Sequence, residues 1–292
     1  MISTIAGARL LLCSCALAAC SSAAPVVKST IVEAGTAPSW FRGAWKREWS
    51  KEQGEAPTET RIVRDLQTPT IFGSVRIGLD RPPLPNATSF DDLDDAQLAA
   101  LLDQKGFAGT ASFKGDVAVW EREIDFRPPN SVDTARLKPQ SPTTVLEEGF
   151  DGSSELWWSM SSGDGKYLGI KITANKRTEV ILTIVGDHFL YARNRRRDLP
   201  RAESLAALAV NATRAELIEL LDCELSYGTI RSGRVPWEVR FSTLPWREGK
   251  PLEFARGVTV DASGKPSPRA PTPGWTIAIN TFTAQDLRLL FP

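Results

Sequence analysis

From Trp40 to the C-terminus the chain is a succession of short β-branched and aromatic runs set between turn residues. Ile62-Val63, Thr70 to Ile77, Ala111 to Phe113, Val117 to Phe126, Thr144 to Glu147 and Glu155 to Met160 are runs of this kind. Tyr167 to Ile172, Glu179 to Val185, His188 to Tyr191, Val235 to Phe241, Phe254 to Val260 and Trp275 to Phe282 continue the pattern. Gly163-Asp164-Gly165 and Gly186-Asp187 supply tight hairpin turns. Many short antiparallel strands joined this way bury a core by curving into a barrel or a strongly bent sheet. Val180 to Val185 is apolar almost throughout, which predicts a strand covered on both faces. Ser263 to Pro273 carries four prolines and is expected to be an irregular loop.

Two helices interrupt the strands. Leu93 to Asp103 is a short amphipathic helix, with Leu98, Leu101 and Leu102 on one face. The aspartates at its start accept from free N–H groups and oppose the helix dipole. Thr213 to Asp222 is the second helix, with Thr213 and Glu216 forming a capping box. The pairs Asp103/Asp222 and Gly109-Thr110/Gly228-Thr229 are separated by 119 positions, and Trp120/Trp237 and Arg76/Arg193 by 117. A nearly constant shift across four landmarks argues for an internal duplication.

The N-terminus is different in character. Arg9 precedes an apolar run from Leu10 to Leu17, far short of the roughly 20 residues that span a membrane. The layout is that of a secretory signal. Leu17-Ala-Ala-Cys20 resembles a bacterial lipoprotein signal, in which Cys20 becomes the lipidated first residue. Ser21, rather than aspartate, follows the cysteine, and the resemblance implies the periplasmic side of the outer membrane. Loss of residues 1–19 removes Cys13 and Cys15, so Cys223 is the one cysteine left free and no intramolecular disulfide forms. Cys223 is expected to be a small buried residue. With 35 basic and 35 acidic side chains, the chain has no electrostatic reason to bind nucleic acid. Arg195-Arg196-Arg197, followed by Asp198 and Pro200, reads as a solvated turn.

Phe41-Arg-Gly-Ala-Trp-Lys46 holds a Gly43-x-Trp45 that resembles the opening strand of lipocalins and their calycin relatives, where the tryptophan closes one barrel end. Three further segments are Leu66-Gln67-Thr68 with Arg76-Ile77, Gly106-Phe107-Ala108-Gly109, and Trp120-x-Arg122-x-x-Asp125-Phe126-x-Pro128. Together they are similar to a family of uncharacterised bacterial and fungal proteins whose fungal member is described as a protein-kinase interactor. The resemblance covers residues 40–160 and reaches the rest through the repeat. It implies a mainly β fold of two tandem lipocalin-like antiparallel β-barrel lobes, each with one short helix. Ser74 departs from the pattern where an aspartate is expected, which leaves the polar partner of Arg76 open. The expected division is a signal over 1–19, a tether over 20–37, a first lobe over 38–165 and a second over 166–292.

Chemistry is sparse. His188 is the single histidine, so a zinc site would have to rest mainly on carboxylates, and no metal or cofactor is expected. His188 is expected to be an exposed strand residue. There is no Gly-x-Ser-x-Gly elbow, and the strand-like residues after Gly163-Asp-Gly-Lys166 exclude a phosphate loop. Glu147, Glu148 and Glu155 are close in sequence, and convergence in a cleft would permit carboxylate-dependent hydrolysis. Their expected state is solvated strand-edge charge.

Strand alternation places Trp120, Arg122, Ile124 and Phe126 on one face, matched by Trp237, Val239 and Phe241 in the second half. Trp120 therefore reads as serving the fold, whereas Arg122 has no counterpart. A guanidinium among apolar side chains needs compensation. Glu148 or Glu155 could provide it, water could if the stem is buried and the head reaches out, or the anionic head of a ligand could. Arg76 and Arg193 recur and read as structural, stacking on an aromatic residue at the barrel end. Alternation also puts Trp158 with Leu156 and Met160 in the core, and Trp157 outside or at the lobe interface. The candidate ligand-binding residues are thus Arg122, Trp120, Trp158 and Glu148. The functional expectation is an envelope lipoprotein whose first lobe binds a small hydrophobic or amphipathic anionic molecule. Its rivals are an interaction scaffold with filled barrels that binds an envelope protein and, more weakly, the hydrolase.

Overall fold

The computed structural model describes residues 35–128, 133–162 and 165–292. The expected signal segment, Cys20, most of the tether, and Gly163-Asp164 of one predicted turn lie outside the described residues. Eight antiparallel strands close a barrel: β1 (Gly43–Lys51), β2 (Arg61–Gln67), β3 (Ile71–Gly78), β4 (Lys105–Lys114), β5 (Val117–Asp125), β6 (Asp133–Ser141), β7 (Thr144–Gly149) and β8 (Ser154–Met160). β8 returns to pair with β1, so the barrel has no free edge. Helix α1 (Asp95–Ala100) lies between β3 and β4, capped by Asp94 and Gln97, and buries Leu98.

The second half is β9 (Tyr167–Ala174), β10 (Arg177–Val185), β11 (His188–Arg193), β12 (Glu224–Thr229), β13 (Glu238–Ser242), the short hairpin of β14 (Val258–Val260) and β15 (Pro266–Pro268), and β16 (Trp275–Asn280). Here the expectation of a second barrel is not met. Among the described residues β13-β12-β11-β10-β9-β16 form an open six-stranded sheet. Nor is there a single helix: α2 (Leu205–Ala209), α3 (Arg214–Leu221), α4 (Glu253–Arg256) and α5 (Ala284–Leu290) all belong to this half. The predicted strand at Phe254 begins as α4, and the proline-rich loop contains β15. The capping box of Thr213 and Glu216 is present on α3, and Gly186-Asp187 turns β10 into β11.

The two halves share one apolar core. Ile71, Val75 and Ile77 of β3 and Ile124 of β5 point out of the barrel against Ile181, Val185, Leu190 and Leu225 of the sheet. Leu182 and Ile184 of β10 face the other way, onto Phe189, Leu287 and Leu290. β10 is thus buried on both faces, as its composition predicts. Cys223 is fully buried in the shared core, where burial pushes its thiol up.

A β-bulge in β5 makes this arrangement work. Ala108 pairs with Ile124 but Gly109 pairs with Arg122, so Glu123 is an extra residue. Trp120 and Arg122 point into the barrel, whereas Ile124 and Phe126 point out into the shared core. The single face expected for these four side chains is therefore broken in two. Glycine is required opposite the bulge: a Cβ at Gly109 would sit 1.9 Å from the Glu121 carbonyl oxygen.

The arginine triplet is also not a solvated turn throughout. Arg195 is 3% exposed. Its guanidinium donates to the carbonyls of Leu220 at 2.6 Å and Asp125 at 2.8 Å, and to that of Phe126, whose ring it also faces. One cation thus closes the end of α3 and the end of β5, satisfying carbonyls from both halves. Arg195→Met is expected to cost about 3 kcal/mol or more in chemical denaturation, because buried acceptors lose their donor. Gly109→Ala is expected to destabilise at least as strongly, measured the same way, since backbone rather than a side chain must yield.

Candidate functional site

The barrel interior is divided between a filled apolar end and a charged mouth. Phe41, Trp45, Phe72, Phe113, Trp120 and Leu137 occupy the apolar end and are all buried. Trp45 donates its indole N–H to the Phe41 carbonyl at 2.9 Å, and Trp120 donates to Gln67 Oε1 at 3.2 Å. Strand alternation then brings polar residues inward along the same strands toward the mouth. An open recess of about 360 Å³ forms there, lined by Arg76, Arg122, Asp133, Glu147 and Glu155, with Phe150 at its rim.

The charges in this mouth are organised by ion pairs. Glu155 accepts from Arg47 at 2.5 Å and from Arg76 at 3.0 Å. Arg47 also holds Glu59 at 2.7 Å. Arg122 is gripped by Asp133 at 2.5 Å and Asp125 at 3.2 Å, and its guanidinium carbon stacks 3.8 Å from the centre of the Phe107 ring. Arg76 covers the same ring at 5.0 Å and meets Ser74 Oγ at 3.2 Å, which answers the question left by Ser74.

The carboxyls are not equivalent. Glu147 is the register partner of Glu155 and accepts the indole N–H of Trp157 at 2.9 Å. Burial, and then the charges of Glu155 and Asp133, push its carboxyl well above the usual range, against the pull of Arg76. Burial likewise raises Asp65 to about 6, offset in part by Arg76 and Ser74, and its Oδ1 has no hydrogen bond among the described residues.

The sequence-derived site residues separate. Arg122 lines the recess, paired with Asp125 and Asp133 rather than with Glu148 or Glu155. Trp120 belongs to the packed end. Trp158 is 40% exposed on the barrel's outside, while Trp157 is 1% exposed inside it, the reverse of the expected order. The inward face of β8 carries polar Glu155 and Ser159 beside Trp157, so hydrophobicity of neighbours misreads it. Glu148 points outward to Lys138, 2.6 Å away. Glu147 and Glu155 converge in the recess, contrary to their expected place at a solvated edge. His188 is half-buried, bonded to Tyr227 Oη at 2.7 Å and the Ser161 carbonyl at 2.8 Å.

No protein-family model matches the chain, and no curated protein sequence matches it. Among solved structures it is similar to an uncharacterized protein of Saccharomyces cerevisiae, YLR301w, with a TM-score of 0.49 and 13% identity. That likeness covers 82% of this chain and 98% of the yeast one, and at this distance it carries no argument about the site.

A raised carboxyl stabilises the fold below its ordinary pKa, and that contribution is lost as pH rises through the folded value. Glu147→Gln keeps an acceptor for Trp157 without the ionisation. The variant should therefore melt at higher temperature than the parent at about pH 8, with the advantage shrinking toward about pH 4 in thermal melts.

Proposed function

We propose that the protein is an envelope lipoprotein, held by lipid on Cys20 at the periplasmic side of the outer membrane. Its barrel serves as a binding module for a small ligand seated at the charged mouth. The observation that carries this reading is the open recess of about 360 Å³ set above an interior already filled by aromatic side chains. The filling argues for a ligand held by its polar group, with any apolar part lying against Phe150, 61% exposed at the rim, and not threaded into the barrel. A pocket with several convergent polar groups is the usual form of a small-molecule site.

The two halves are read as copies of one lipocalin-like unit, the second left open. The barrel runs β8-β1-β2-β3-β4-β5 before closing, and the sheet runs β16-β9-β10-β11-β12-β13 in the same sense. Gly109 and Gly228 both stand opposite bulges, and a Cβ on either would collide with a carbonyl across the strand pair.

Native mass spectrometry of protein taken from its own envelope should reveal a retained small molecule that is lost from an Arg122→Ala/Arg76→Ala variant. Repeatedly empty protein, together with one dominant cross-linked envelope partner, would replace this reading with the interaction scaffold. Cys20→Ala should move the protein from the membrane to the soluble fraction; unchanged membrane association would remove the lipid anchor from the proposal. A second reading, hydrolysis by a carboxyl pair, is favoured by the convergence of Glu147, whose carboxyl burial raises, with Glu155, which accepts from two guanidiniums. It requires turnover of a glycoside that disappears in Glu147→Gln.

A further inference from the structure

Three neighbouring strands present a row of cations at the barrel mouth. Arg76 of β3 is the register partner of Lys105 of β4. Phe107 of β4 pairs with Asp125 of β5, and the ladder continues through the Phe126 N–H to the Gly106 carbonyl at 2.9 Å. Continued by two residues, the same register brings Lys105 opposite Arg127, just past the end of β5. Alternation assigns all three to the inner face. Arg76 lies over the interior ring of Phe107, and Lys105 stands two residues before that ring. Arg127 stands two residues beyond Asp125, which pairs inside the barrel with Arg122.

Like charges directly opposite one another on adjacent strands destabilise a sheet. Arg76 is compensated by Glu155. Lys105 and Arg127 are not: among the described residues neither side chain has an ion pair or hydrogen bond, and Arg127 Nε is buried without a partner. Both side chains are half-buried, which leaves their terminal nitrogens within reach of a ligand. Arg61, close by, is already engaged with Asp103. Burial first, then Arg127, Arg61 and Arg76, lower Lys105 to about 8 against the pull of Asp103. Burial lowers Arg127 too, with Asp125 acting the other way. Half-buried cations without a direct ion pair, brought side by side at the end of a strand ladder, have the form of an unfilled anion seat.

We propose that Lys105 and Arg127 form an oxyanion site, receiving the carboxylate or phosphate group of a small ligand at the barrel mouth. This rests on the reading of the mouth as a binding site. It assigns the anionic group to a pair next to Arg122 and not to Arg122 itself, whose guanidinium is held by Asp125 and Asp133.

Inorganic phosphate and acetate serve as probes, titrated at about pH 7 into the full folded chain and into Lys105→Met, Arg127→Met and the double variant, by calorimetry and thermal melting. The parent should bind at least one probe saturably and gain melting temperature. Each single variant should bind about tenfold more weakly, as expected for the loss of one charge-assisted contact. Lys105→Arg should retain binding. Without probe the double variant should melt above the parent, because the like-charge pair is gone; this separates loss of the site from loss of the fold. Parent affinity should fall as pH rises through about 8, where Lys105 loses its proton. Absence of saturable binding of either probe by the parent, or equal binding by the double variant, overturns the proposal. Co-sedimentation with phosphatidylglycerol vesicles, set against phosphatidylcholine vesicles, distinguishes a lipid headgroup from a soluble anion as the source. Probe binding that depends on the pair in a protein that never carries an envelope ligand would fail the broader reading while leaving this site. An envelope ligand retained equally by the double variant would do the reverse.

Discussion

One extra residue in β5 determines which side chains line the barrel and which attach it to the second sheet. Were Glu123 paired in a regular ladder instead of bulged, strict alternation would keep Ile124 and Phe126 inside with Trp120 and Arg122, and the shared core would lose its contribution from this strand. The bulge turns the strand over in mid-course. Asp125 then enters the mouth as a partner for Arg122, and Glu123 reaches outward to Lys171 at 2.5 Å and Thr178 at 2.6 Å on the sheet. Packing, ion pairing and the attachment of the two halves all follow from that single insertion.

The mouth is costly by construction. Charged groups taken from water must be matched inside, and most of these are: Glu155 serves two guanidiniums, and Arg122 serves two carboxylates. What remains unmatched falls on opposite sides. Glu147 and Asp65 meet burial by shifting toward the neutral acid, whereas Lys105 and Arg127 have no acceptor among the described residues. A surface shaped only for stability would replace such groups with apolar ones, since an apolar substitute of similar volume is often as stable or more so.

Local features were legible in the sequence. Thr213 with Glu216, the Gly186-Asp187 turn, the doubly buried Val180–Val185 strand and the interior Cys223 each depend on neighbours in the chain, and each stands where expected. Features set by strand pairing were not. Period-two reasoning fails beyond a bulge, which hid the division of Trp120 and Arg122 from Ile124 and Phe126. It failed again at Trp157-Trp158, because the inward face of β8 is polar and looks like a surface. Arg195 looked solvated because its three acceptors come from distant segments. The closed circuit of eight strands and the open sheet beside it depend on which edges find partners, and no run of residues encodes that alone. The Arg76–Lys105–Arg127 row crosses three strands and becomes visible only once their register is known.

Arg195 ties carbonyls of β5 and α3 with a single planar group, over a core to which both halves contribute. Neither half retains a finished surface when the other is removed. Barrel and sheet should therefore behave as a single mechanical body: cleavage of the chain between β8 and β9 would leave a nicked particle that still migrates intact, and the ligand mouth would stay as rigid as the sheet that backs it.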